Sequence, residues 1–333
     1  MTKHVVGVIG TGRIGQLHIK NLIQLNNVRV KTASDPMADK LQDWFKNSGV
    51  ENFVENADDI INDSEINVVF ICSSTDTHLD FIERSIDAGK HVFCEKPISF
   101  SQEETRKVYE KVKNSKLKVQ IGFNRRFDGN FAKIKSNVDK GNIGHTQMIK
   151  ISSRDPEAPP IEYVKTSGGL FFDMMIHDFD MARFLGGEIT EVYAQGDALI
   201  NSEITKYNDI DTALVTLKFE NGAHGVIDNS RQAAYGYDQR VEVFGSKGQV
   251  LTDNNKNTEV KLYTKDTVIE DNPQYFFLER YNDAYVSEIN DFLDAITNNN
   301  ELTVTYEDGM KAQNLAFAAR ESFEKGKPVK VNN

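Results

Sequence analysis

Short runs of β-branched and aromatic residues alternate with helical stretches over the first third of the chain. HVVGVIG gives way to a helix from about Arg13 to Leu25, and VRVKTAS to DKLQDWFKNSG. INVVFICSS is followed by HLDFIERSIDAG and HVFCEK by SQEETRKVYEKVKNS, before KVQIGF closes the series. These runs are apolar at nearly every position rather than at every second one. They predict parallel strands buried on both faces, and the intervening helices predict a doubly wound sheet. Ser101 followed by Glu104 predicts a capping box, and Gly49 and Gly89 stand where helices end.

The pattern changes after about residue 125. HTQMIKISSR, EVYAQGDALI, DTALVTLKFENGAHGVIDNSRQ, QRVEVFGSKGQVLTD and EVKLYT follow closely with turn residues between them. They predict an open, mostly antiparallel sheet, with Asn221-Gly222 as a type I′ hairpin turn. Helices are expected at about 128–140, 168–186, 276–297 and 307–325. The last has Leu315, Ala318, Ala319 and Phe323 as its apolar stripe and ends at Gly326. The proline-rich SRDPEAPPIEYVK reads as a mobile surface loop. The expected fold class is α/β: an N-terminal Rossmann domain over 1–123 and a C-terminal α+β domain over 124–333, whose last helix is free to pack back on the first.

A length of 333 residues accommodates two such domains, and the formal net charge of -11 argues against a nucleic-acid partner. No run approaches the roughly 18 apolar residues of a membrane span. Cys72 and Cys94 sit inside apolar runs without ligand spacing, which fits packed thiols in a reducing compartment and predicts no metal. With only Val5–Ile9 apolar after Met1, no secretory leader is visible, and a cytoplasmic location is expected.

GVIGTGRIGQLH, residues 7–18, places Gly10, Gly12 and Gly15 between a strand and a helix, the context a dinucleotide-binding turn requires. Gly10 permits the tight turn, Gly12 lets backbone approach a pyrophosphate, and Gly15 lets helix and strand pack closely. The phosphates would meet the helix N-terminus, where free amides favour anions. Asp35, at the end of the next strand, is placed to accept hydrogen bonds from ribose hydroxyls. It would repel a 2′-phosphate, and Pro36-Met37 offer no cation to receive one. NAD is therefore expected over NADP, with Arg13 as the one side chain in the loop able to attract that phosphate.

GGLFFDMMIHDFDMARFLGG is the richest polar-on-apolar helix of the chain. Asp173 and His177, four apart, share a face there that Asp180 continues. The spacing alone also fits an ordinary ion pair. A histidine suits proton transfer because its unperturbed pKa, about 6.5, lies near working pH, and a neighbouring carboxylate fixes its tautomer. Lys96, in CEKP at 94–97, ends a strand on the side where open α/β sheets bind ligands. It could hold a hydroxyl and stabilise alkoxide charge, or it could simply be solvated. Whether Pro97 is cis is not readable from the sequence.

On GVIGTGRIGQLH, on EKP at 95–97 and on Asp173-x-x-x-His177 after a double glycine, the chain resembles the glucose–fructose oxidoreductase/inositol dehydrogenase/MocA group over essentially its full length. ISSRDPEAPPIEYVKTSGGLFFDMMIHDFDMARFLGG and YGYDQR at 235–240 are similar to the inositol 2-dehydrogenases in particular. The resemblance implies that Lys96, Asp173 and His177 form the catalytic trio and that Arg126, Asp155, Tyr235 and Tyr237 line a polyol pocket. On residues alone, Arg126 could as well anchor a hinge, Asp155 form a loop turn, and either tyrosine be packed. Ile14, Ser73, Thr75 and Glu95 join Gly10, Gly12, Arg13, Gly15 and Asp35 in the expected cofactor set. His78 sits near where relatives border the nicotinamide and is not counted in the site. The antiparallel sheet is implied to support subunit contacts in a homotetramer.

The expected activity is NAD-dependent oxidation of myo-inositol to 2-keto-myo-inositol (scyllo-inosose), with His177 as general base. Two alternatives stay open. One is a dehydrogenase for scyllo-inositol, another isomer or a pyranose sugar. The other is a non-catalytic dinucleotide sensor, which would need none of the trio.

Overall fold

A computed structural model of the protein describes residues 4–331. They fall into two compact units: the chain up to Asn124 together with Tyr285–Met310, and Arg125–Ala284 together with the chain from Lys311 on. The outer ends of the two expected domains, residues 1–3 and 332–333, lie outside the described residues.

The first unit is built on β1 (His4–Ile9), β2 (Val28–Ser34), β3 (Asn52–Val54), β4 (Val68–Ile71), β5 (His91–Cys94) and β6 (Val119–Ile121). All six run parallel, in the order β3-β2-β1-β4-β5-β6. The order reverses between β1 and β4, and ligands of such sheets bind at the carboxyl ends of strands at that switch point. Val6, Val8, Val68, Phe70 and Phe93 are fully buried, so the unbroken apolar runs do report strands covered on both faces. The helix Asn282–Asn298 adds Ile289, Phe292 and Leu293 to this core. Phe70 and Phe93 stack with centroids 4.7 Å apart, and Phe292 meets each at 5.9 Å. A division at residue 123 alone would leave this core open on one side. Ser101 caps the helix Gln102–Asn114, accepting from the Glu104 amide at 3.3 Å, but its own amide donates to Ser99 Oγ at 3.0 Å, so the expected capping box forms only in its first half.

The second unit holds a seven-stranded sheet in the order β12-β11-β7-β10-β9-β8-β15. Its strands are β7 (Thr146–Arg154), β8 (Ile189–Asp197), β9 (Thr212–Phe219), β10 (His224–Ser230), β11 (Asp238–Gly245), β12 (Gly248–Thr252) and β15 (Val329–Lys330). Only β7 and β10 pair in parallel; every other pair is antiparallel. A separate hairpin joins β13 (Lys261–Tyr263) to β14 (Val268–Glu270). Among the described residues, no helix is long and apolar enough to cross a membrane.

Several local expectations change, among them the helix expected at 276–297, which is two, Phe277–Arg280 and Asn282–Asn298. Asn221-Gly222 is not a type I′ turn, because only Gly222 takes a positive φ (+86°). The Asn221 side chain instead donates to Gly186 O and accepts from the Ala223 amide. The segment read as a loop holds most of the helix Ile161–Ser167, which starts directly behind Pro159-Pro160, as proline's fixed φ allows. The single helix expected at 168–186 is two, Leu170–Asp173 and Ile176–Gly186. At the break, the Met174 and Met175 amides both reach Leu170 O, at 3.1 and 2.9 Å, which widens one turn to an i→i−5 bond.

Candidate active site

Lys96 and the glycine turn belong to the first unit, Asp173 and His177 to the second. In the glycine turn, Gly10 has φ +90°, and a Cβ there would come within 2.6 Å of the Ser73 backbone nitrogen. A Cβ on Gly15 would meet Gly10 O at 2.0 Å, so helix and strand touch at backbone distance. Gly12 differs: among the described residues, nothing beyond its chain neighbours and its own helix lies within 4 Å of its would-be Cβ, which leaves an open cradle. The helix Arg13–Leu22 has Gly12 as its N-cap, which supplies no side-chain cap at the end of the helix that favours anions. Asp35 follows β2 and braces the loop. Its Oδ2 accepts from the Thr11 amide at 2.9 Å and the Thr11 hydroxyl at 3.0 Å, and its Oδ1 accepts from the Met37 amide at 2.9 Å. Cradle, uncapped helix start and strand-end carboxylate together fit a dinucleotide.

The other cofactor candidates surround the strand ends. Arg13 is exposed, Ile14 half-buried, and Thr75 opens the short turn Thr75–Thr77 after β4. Ser73 Oγ lies 2.7 Å from Thr77 Oγ1. Glu95 is buried, with Oε1 2.8 Å from His18 Nε2. His18 packs against the rings of Phe70, Phe93 and Tyr285 at 5.0–5.7 Å. It links the glycine-turn helix to the EKP segment, a role the sequence analysis did not assign although His18 ends the quoted motif. Lys96 is half-buried and precedes a cis bond to Pro97. His78 is buried, with Nδ1 2.9 Å from Pro97 O and Nε2 3.0 Å from Ser73 O, and it ties the segments after β4 and β5 together. Burial lowers its pKa.

In the second unit, the widened turn at Met174–Met175 separates Asp173 from His177 in the first turn of the next helix. Both Asp173 oxygens are engaged: Oδ1 accepts from the Tyr163 hydroxyl at 2.7 Å, and Oδ2 from Arg231 Nη1 at 2.8 Å. The same Nη1 lies 3.7 Å from Asp155 Oδ2, so one guanidinium draws together two predicted site carboxylates. Burial pushes Asp155 up to about 6 against the pull of Arg231, and the Asp173 charge adds to the rise.

The remaining candidates each meet further partners. Arg126 is buried and forks onto Asp180, Nε to Oδ2 at 2.9 Å and Nη2 to Oδ1 at 2.6 Å, with its guanidinium over Phe184. That pair anchors the helix of His177. Tyr235 is exposed; its hydroxyl donates to Asp238 Oδ2 at 2.6 Å and accepts from Arg154 Nη1 at 3.1 Å. Tyr237 is buried edge-on to Tyr281, and burial pushes its pKa up. Tyr163 and Arg231 were not singled out from the sequence. Tyr163 was hidden in the segment read as a loop, and Arg231 stands at the end of the run DTALVTLKFENGAHGVIDNSRQ, where no spacing ties it to Asp173, 58 residues away.

Comparison with known proteins adds an independent observation. A model of an oxidoreductase family's NAD-binding Rossmann fold matches residues 5–123. The model of that family's C-terminal alpha/beta domain matches residues 135–331. The chain is 50% identical to an uncharacterized oxidoreductase, YrbE, of Bacillus subtilis, covering 100% of this chain and 98% of that protein. It is 44% identical to the myo-inositol 2-dehydrogenase of Thermotoga maritima, covering 98% of each. The crystal structure of scyllo-inositol dehydrogenase from Lactobacillus casei with bound NAD(H) and scyllo-inositol superposes with a TM-score of 0.91 at 34% identity, covering 99% of both chains.

Proposed function

The chain belongs to the GFO/IDH/MocA oxidoreductase family, and on that premise we propose that it is an NAD-dependent inositol 2-dehydrogenase converting myo-inositol to 2-keto-myo-inositol. The observation that carries this reading is that a carboxylate held on both oxygens, Asp173, directly precedes the helix turn bearing His177, in a chain that also carries an open dinucleotide cradle at Gly12.

His177 takes the proton of the reacting hydroxyl as general base. Lys96 holds that oxygen and lowers the cost of its negative charge. Asp173 orients His177 or accepts a hydrogen bond from the hydroxyl itself. Gly10, Gly12, Arg13, Ile14, Gly15, Asp35, Ser73, Thr75 and Glu95 hold NAD, which when bound supplies the hydride acceptor. Asp155, Tyr235 and Tyr237 supply directional contacts to the remaining hydroxyls, as a polyol requires. Arg126 supports the pocket through Asp180. In this reading the protein works in the cytoplasm, as a tetramer built on the antiparallel sheet.

A polyol panel with NAD, followed by NADH absorbance, tests the proposal. The highest kcat/KM is expected with myo-inositol. A higher value with scyllo-inositol, which the likeness to the L. casei enzyme makes the second reading, or with a pyranose, replaces the substrate. No NADH from any polyol replaces the enzyme with a dinucleotide sensor.

Cofactor choice is tested at Asp35. The wild type is expected to favour NAD over NADP in kcat/KM. Asp35→Ser should erode that preference by about tenfold or more, the value of a charge-assisted hydrogen bond plus the lost repulsion. It should also raise KM for both cofactors, because Asp35 braces Thr11. A wild type preferring NADP contradicts the assignment.

A further inference from the structure

Arg231 is 4% exposed and rigidly placed just beyond β10. Its amide donates to Asp211 O at 2.9 Å. The chain just before and two residues after it is stitched to Asp155: the Asp155 amide donates to Ser230 O at 2.9 Å, and the Ala233 amide to Asp155 O at 2.7 Å. The guanidinium therefore has little freedom, and its Nη1 stands 2.8 Å from Asp173 Oδ2 and 3.7 Å from Asp155 Oδ2. Two carboxylates this close repel, and without a cation one of them would retain a proton. A protonated carboxyl presents a donor where a polyol hydroxyl needs an acceptor.

We propose that Arg231 is a positioning residue that keeps Asp155 ionised beside Asp173, so that both carboxylates face the polyol as hydrogen-bond acceptors. This rests on the polyol-oxidising reading above. The charged and titratable groups acting on Asp155 are Arg231, Asp173, Arg125 and Asp178, with Tyr163 and Tyr237 on neighbouring elements. Asp209 is the third carboxylate facing Arg231. Burial raises Asp155 to about 6, and Arg231, the nearer cation, pulls against it, with Arg125 as a second and weaker one.

The experiment is a carboxyl NMR titration of the full chain labelled with 13C-aspartate, in which the Asp155 signal is identified by its loss in Asp155→Asn. In Arg231→Gln the Asp155 midpoint should rise by about one pH unit or more, the usual effect of an adjacent opposite charge. Arg231→Lys should restore most of the difference. Asp173→Asn, which removes the neighbouring negative charge, should lower the midpoint. An unchanged midpoint in either Arg231→Gln or Asp173→Asn overturns the proposal. For the enzyme, the acid limb of kcat/KM should move upward in Arg231→Gln, with KM affected more than kcat. If the midpoints move as expected but the wild type oxidises no polyol, the clamp stands and the functional reading falls. If the wild type oxidises a polyol while the midpoints stay put, the reverse holds.

Discussion

His177→Ala lowers polyol turnover by about 10²–10⁴-fold, the usual contribution of a general base, while NAD affinity stays at the wild-type value. Removing hydride from a carbinol leaves a protonated carbonyl unless the hydroxyl proton departs in the same step, and water at neutral pH is a poor acceptor for it. An imidazole with a pKa near 6.5 is neutral above that value and still basic enough to take the proton. None of the residues assigned to NAD, among them the glycine turn and Asp35, is changed by the substitution, and they belong to the other compact unit. Turnover is read from NADH formation and NAD affinity from fluorescence titration. Near-wild-type turnover would remove His177 from its role.

Asp178→Ala destabilises the protein by about 3–5 kcal/mol, the cost of leaving a buried charge without its partner. Asp178 is adjacent in sequence to His177, yet its work is different. Its Oδ1 accepts from Arg125 Nη1 at 2.6 Å and its Oδ2 from Asn229 Nδ2 at 2.9 Å. The side chains of the pair are 6% and 0% exposed, and the Arg125 guanidinium lies 5.6 Å from the Tyr281 ring. Truncating the carboxylate strands the guanidinium in a dry network. For a domain of this size the loss corresponds to a fall in Tm of roughly 6–20 °C. Removing both charges, as in Arg125→Met with Asp178→Leu, should cost far less, because no unpaired ion remains. The exposed Lys206–Glu203 pair provides the contrast, at no more than about 1 kcal/mol. Thermal melts of these variants decide the matter, and an Asp178→Ala protein that melts with the wild type would contradict the network.

The first sheet was legible because burial on both faces leaves continuous apolar runs, as in Val68–Ile71, and because the Ser101 cap depends on neighbours three residues apart. What escaped depends on partners distant in sequence. His18 meets Glu95 across 77 residues, Arg126 meets Asp180 across 54, and Arg231 meets Asp173 across 58. The break at Met174–Met175 was hidden for another reason. Leu170, Phe171, Phe172, Met174, Met175 and Ile176 are all buried, so no polar stripe marks where one helix stops and the next begins. The resemblance brought Asp155 and Asp173 to one pocket, but it did not show that a single arginine holds both. Nor did it show that Arg126 is committed to Asp180.

On the proposed function, this chain moves a hydride from a cyclic polyol carbon to NAD. Incubating the wild-type protein with NAD and myo-inositol deuterated at the carbon to be oxidised, then examining the nicotinamide by mass spectrometry, tests it directly. The account predicts that each reduced cofactor carries one deuterium and that an equal amount of 2-keto-myo-inositol appears. Reduced cofactor without deuterium, or none formed at all, would contradict it.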